Sequence, residues 1–185
     1  MALLNSKFSN FRLNFPKNWF YPEIIETYDQ YFRKSMIPYT NLTDYINFTI
    51  QSVSWPALAI ETVTQTKKDA EITYKSGWDL NRQTEKNLTI TFRTTEGFLN
   101  YFVMRSQLEM YYEQGKTAKN NVFVPDLNLM MLDHYGYLIL TQKMKYVVYM
   151  GLSELELSQS ANVPEYRTFT ADFKYSELSF IKNYD

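Results

Sequence analysis

Apolar and polar residues alternate along most of this chain. In "NLTITFRT", residues 87–94, Leu88, Ile90 and Phe92 fall on one side while Thr89, Thr91 and Arg93 fall on the other. That period of two marks a half-buried strand. The pattern returns near the end, where Phe169, Ala171, Phe173 and Tyr175 oppose Thr170, Asp172 and Lys174. Further strands are predicted at residues 45–53 ("YINFTIQSV"), 60–66, 70–76, 127–132, 137–149 and 153–158. Two segments follow the helical period instead. In the first, Pro22 and Glu23 suit an opening turn, Ile24, Ile25, Tyr28, Tyr31 and Phe32 share a face, and Arg33 and Lys34 suit the closing turn. In the second, a threonine cap precedes a stripe of Phe98, Tyr101, Phe102, Leu108 and Tyr112, which stops near Gly115. These elements predict a mainly β fold with one or two helices, an antiparallel sandwich or barrel carrying a flanking helix.

Composition narrows the classes. A chain of 185 residues, 45% of them hydrophobic, suits one compact core. A formal charge of -1 argues against a protein that grips nucleic-acid phosphates as its main task. The absence of cysteine removes disulfides, thiolate ligands and a thiol nucleophile together. The start "MALLNSKFSNFRLNF" lacks a basic then apolar leader, and no run approaches the roughly 18 apolar residues of a membrane span. The expectation is a soluble protein, made in the cytoplasm, with no membrane insertion. Sixteen tyrosines and thirteen phenylalanines leave two readings open. Tyrosine suits surfaces buried only in an assembly, and aromatics also fit a pleated sheet.

The candidate chemistry is thin. His134, the single histidine, follows Asp133 in "LDHYGY", between two predicted strands. Neighbours on a strand point opposite ways, so Asp133 is a poor orienter for His134, and the stretch reads as a hairpin corner more readily than as half of a catalytic site. One histidine and no cysteine leave only carboxylates for a metal, and none are spaced as a calcium loop. Five glycines supply no phosphate-cradling loop. Glu154 and Glu156 would share a strand face, either solvated or an acidic strip that repels phosphates. Lys67, Lys68 and Asp69 fall between two strands, at a hairpin tip that is either solvated or, with Trp78 nearby, an arm docking on a neighbour. No enzyme, metal or cofactor is expected from these residues.

The order of these segments resembles the tail-tube family of tailed bacteriophages, whose relatives include the ring-forming haemolysin-coregulated protein of type VI secretion. "FTIQSVSWPALAIETV", residues 48–63, is similar to that family's early strand, its corner (here Trp55, Pro56 and Ala57) and the strand that follows. Residues 71–109 read like its hairpin arm, central strand and single helix. Residues 137–178 resemble its closing strands, with Gly151, Leu152 and Ser153 at the corner and Phe169 to Tyr175 at the end. Two departures stand out: the family's corner proline is replaced by Ser153, and residues 15–43 add a helix and an aromatic segment. The resemblance implies an N-terminal extension over 1–44, packed on a tail-tube-like barrel over 45–185. It also implies a virion structural protein in the tail, a hexameric ring stacked on neighbouring tail or baseplate proteins, with genomic DNA passing through its channel without sequence-specific binding. The departures allow a specialised ring at the tube's end, the baseplate or the head-tail junction. Thr89, Thr91, Glu154 and Glu156 are then candidates to face the channel, and Lys67, Lys68, Asp69 and Trp78 candidates for the inter-subunit arm. A ligand-binding barrel without catalysis is the alternative.

Overall fold

The computed structural model describes residues 10–34, 41–54, 62–67, 70–75, 86–117, 126–133, 135–155 and 167–182. Ten strands and three α-helices organise them. In one sheet, β1 (Asn10–Asn14), β6 (Leu127–Leu132), β7 (Leu138–Lys145) and β10 (Glu177–Lys182) lie in the order β1-β6-β7-β10. In the second, β2 (Ile50–Val53), β5 (Asn87–Arg93), β9 (Thr168–Lys174) and β8 (Val148–Leu152) lie in the order β2-β5-β9-β8. A separate hairpin joins β3 (Thr62–Lys67) to β4 (Ala70–Lys75), and every pairing is antiparallel. The helices α1 (Pro22–Lys34), α2 (Leu42–Thr49) and α3 (Leu99–Thr117) touch one another, and α3 packs against β8.

Alternation sets which face of each strand is buried. Along β5, Leu88, Ile90 and Phe92 are buried, and the paired strand β9 buries Phe169, Ala171 and Phe173 opposite them. Leu13, Leu127, Leu129 and Met144 of the first sheet belong to the same buried cluster, so the two sheets share one core. The irregular segment after β1 supplies its aromatic centre. Phe15 lies 4.5 Å from Trp19, 6.2 Å from Phe92 and 5.9 Å from Phe173, ring centre to ring centre. A buried segment without a sheet partner must satisfy its backbone elsewhere, and side-chain amides do so. Asn47 Oδ1 accepts from Phe15 N at 2.9 Å; Gln107 accepts from Tyr21 N at 3.1 Å and donates to the Trp19 carbonyl at 2.9 Å.

Three expectations fail in particular places. Residues 45–53 are not one strand: α2 occupies the first part, and only Ile50–Val53 is extended. Asn41 caps the helix by accepting from Asp44 N at 2.8 Å, and Leu42, Tyr45, Ile46 and Thr49 are buried at the spacing of three and four. Residues 137–149 are two strands in different sheets. The chain turns at Tyr146, whose φ of 53° lies in the left-handed region. Residues 153–155 form no strand either. Ser153 N donates to the Thr170 carbonyl at 2.8 Å while the Ser153 hydroxyl accepts from Thr170 N at 2.9 Å, so a side chain replaces the next ladder carbonyl and β8 ends at Leu152. Glu154 therefore lies exposed past the strand and not on a strand face. Among the described residues α2 is thus a third α-helix, where one or two were expected.

Gln142 is fully buried on β7, and among the described residues neither its amide oxygen nor its amide nitrogen has a hydrogen-bond partner. An unpaired buried polar atom costs about 1–3 kcal/mol. Gln142→Met keeps the volume and removes both atoms, and should raise unfolding stability by about 1–3 kcal/mol in urea titration. A lower midpoint would mean that the amide is paired in solution.

Burial pushes the Tyr149 hydroxyl well above the usual tyrosine range, with Tyr101 and Asp172 adding to the shift. The folded chain therefore holds this proton more tightly than the unfolded chain. Its contribution to stability is complete below the unfolded value of about 10 and is lost as pH rises beyond it. Tyr149→Phe removes the group and gives up one 3.3 Å bond to the Met104 carbonyl. The variant should show a shallower fall in denaturation midpoint as pH rises through about 10; an unchanged slope would assign the fall to other groups.

Candidate assembly interface

The second sheet has two unlike faces. Opposite the buried rings, β5 presents Asn87, Thr89, Thr91 and Arg93, and β9 presents Thr168, Thr170, Asp172 and Lys174. Register sets Thr89 beside Asp172 and Thr91 beside Thr170, and the Thr89 hydroxyl donates to the Asp172 carboxylate at 2.6 Å. Hydroxyls fill the middle of this face, a carboxylate sits among them, and the cations Arg93 and Lys174 stand at opposite ends. The face is thus polar with mixed charge.

Sheet edges form a second kind of surface. Among the described residues β1, β10, β2 and β8 each have one strand neighbour, leaving a row of backbone donors and acceptors on the other side. Such rows template pairing with another chain. β10 adds apolar character, because Phe180 and Ile181 are adjacent, point to opposite faces and are both about half exposed.

The β3–β4 hairpin pairs in register from Thr62 with Lys75 to Lys67 with Ala70, and among the described residues its extensive contacts are internal. Thr64, Gln65 and Thr73 are exposed. A two-stranded ribbon outside both four-stranded sheets has the form of an arm.

At the tip of the β6–β7 hairpin, Asp133 is committed to the turn. Its carboxylate accepts from Tyr135 N at 2.9 Å and from Tyr137 N at 2.8 Å, and Gly136 takes a φ of 87° that suits glycine. Tyr135 and Tyr137 stand about three-quarters exposed beside Leu138 and Ile139.

The structure places Thr89 and Thr91 together on the polar sheet face, half-buried. Glu154 lies beyond the strand that follows β7, and Lys67 ends β3. His134, Lys68, Asp69, Trp78 and Glu156 lie outside the described residues, as does the side chain of Lys67. Sequence reasoning missed the open edges of β1 and β10, because neither strand was predicted. It also missed Asn47, Asn100 and Gln107 as buried ties. Asn100 donates to the Arg93 carbonyl at 2.7 Å and so fixes the turn from β5 into α3.

Among the described residues no group of three metal-ligating side chains comes together, and no helix is long and apolar enough to cross a membrane. The interior rings pack on one another. A cavity of about 670 Å³ opens at the surface instead, lined by Phe48–Gln51 and Arg93–Thr95 in residues 48–51 and 93–95.

No protein-family model matches the sequence, and no curated protein matches it. Solved structures do. The tube-terminating cap of the anti-feeding prophage aligns with 98% of this chain and 93% of its own, at 10% identity and a TM-score of 0.53. The sheath/tube terminator of the extracellular contractile injection system PVC aligns with 71% of this chain and 84% of its own, at 12% identity and a TM-score of 0.48. A crystal structure of Hcp protein aligns with 94% of this chain and 98% of its own, at 7% identity and a TM-score of 0.38. The antiparallel architecture expected from the alternation is present, and the chain shares its fold with the tube-terminating cap of the anti-feeding prophage.

Proposed function

We propose that this chain is a structural subunit of a phage or phage-like tail, assembling as a hexameric ring at the end of a tube or in its baseplate. The observation that carries the reading is a fold shared almost end to end with a tube-terminating cap. The open edges of both sheets support it, since a closed ring of copies pairs rows that would otherwise invite aggregation. In this ring the polar face with Thr89 and Thr91 lines the channel, and the β3–β4 arm reaches a stacked neighbour. DNA or an effector passes a wall of hydroxyls and mixed charge, which does not hold phosphates as an all-basic wall would. The role is mechanical, with no catalysis and no cofactor, and its place is the tail of the particle.

The test is to delete this chain from a producing strain and image the particles. Tails that are missing, open-ended or of uncontrolled length, rescued by the wild-type chain, are the expected result. Particles of normal length and activity would overturn the proposal.

A further inference from the structure

The outward face of α3 carries Phe102, Arg105, Glu109 and Tyr112, each exposed. These positions form one stripe, because steps of three and four return to the same side of a helix. The stripe is symmetric about Gln107 in a chemically useful way. Phe102 and Tyr112 each stand five residues from it, and Arg105 and Glu109 each stand two. Gln107 is buried and bonded to the backbone at Trp19 and Tyr21, so the back of the helix is fixed at that level.

We propose that this face pairs two copies of the chain, α3 against α3, antiparallel across a two-fold axis at the level of Gln107. That axis exchanges positions equidistant from Gln107. Phe102 then meets Tyr112 of the partner subunit, and Arg105 meets Glu109 of the partner subunit, each contact occurring twice. No like charges oppose: Glu113, also exposed, falls opposite Tyr101 of the partner subunit. Within one chain Arg105 and Glu109 already pair at 2.8 Å, both side chains more than half exposed. An exposed pair of this kind contributes little alone. In the dimer the same four groups form a ring of alternating charge flanked by two aromatic contacts, which removes them from water together.

This contact is isologous, whereas neighbours in a cyclic ring meet through unlike surfaces. It therefore joins copies outside a single ring, and it does not depend on the ring proposal.

The chain has no cysteine, so introduced thiols report cleanly. Phe102→Cys and Tyr112→Cys proteins are mixed in equal amounts, oxidised and run without reductant. The mixture should yield a disulfide dimer containing one chain of each, and neither variant alone should yield a dimer. Like positions lie roughly 15 Å apart across the axis, at 1.5 Å per residue, beyond the reach of a disulfide. In the second arm, Arg105→Glu and Glu109→Arg each weaken self-association by about tenfold or more, through paired like charges. The double variant restores it, because every acid again faces a base. A mixture that does not cross-link, a Phe102→Cys protein that cross-links to itself as well, or a double variant weaker than either single one overturns the proposal.

Discussion

Phe173→Ala should lower unfolding stability by about 3–5 kcal/mol, the cost of emptying a buried aromatic site. Phe173 is 1% exposed and sits where the chain's segments converge. Its ring stacks on Tyr149 at 4.9 Å and meets Phe15 at 5.9 Å and Trp19 at 6.0 Å, linking β9, β8 and the segment after β1. These neighbours are themselves held by ring contacts and backbone ties, so the cavity cannot collapse cheaply. Total stabilities of single domains run about 5–15 kcal/mol, so the variant loses a large share. Thr168→Ala, on the exposed side of the same strand, should stay within about 0.5 kcal/mol. Urea titrations of both variants decide the matter. A small loss at Phe173 would mean that the shared core is not as described.

Removing the β3–β4 arm should abolish the stacking of rings while leaving the monomer folded. Thr62 and Lys75 are paired in register, so an Asn-Gly turn can join them in place of residues 63–74. The hairpin is a separate sheet, hydrogen-bonded to neither four-stranded sheet, and closing a shorter loop changes chain entropy by less than about 1 kcal/mol. Circular dichroism and thermal midpoint should therefore match the parent. Light scattering should lose the long stacks, leaving rings and whatever copies α3 joins. An unfolded variant would place the arm in the core, and unchanged assemblies would remove it from the interface.

What was legible in the sequence depended on how one-sided each element is. β5 and β9 bury one face and expose the other, so their period of two survives into the structure unaltered. The existence of α1 and α3 was legible from helical spacing and end signals, but the stripe expected on α3 is not its packed face: Phe102 and Tyr112 are exposed, and Val103, Met104 and Gln107 are buried. Thr95 precedes a short 3-10 turn, Glu96–Phe98, without a side-chain capping bond, and the α-helix begins only at Leu99. β10 was hidden because Phe180 and Ile181, side by side, leave no alternation to read. In α2, Tyr45, Asn47 and Thr49 imitate a strand; Asn41 three residues before Asp44 was the available sign of a helix start. The break at Tyr146 also had a sign. Buried positions run even to Met144 and odd from Val147, a change of parity that one continuous strand cannot accommodate. The candidate interface was partly legible: the Thr89 and Thr91 face follows from alternation, and the open edges do not, since strand order is set by distant pairings.

The central claim is that this chain builds a ring, and mass in solution tests it most directly. Light scattering on the purified protein, coupled to size exclusion, should give a species about six times the 22.1 kDa of one chain, or stacks of it. A single monodisperse peak at 22.1 kDa across the concentration range would contradict the account.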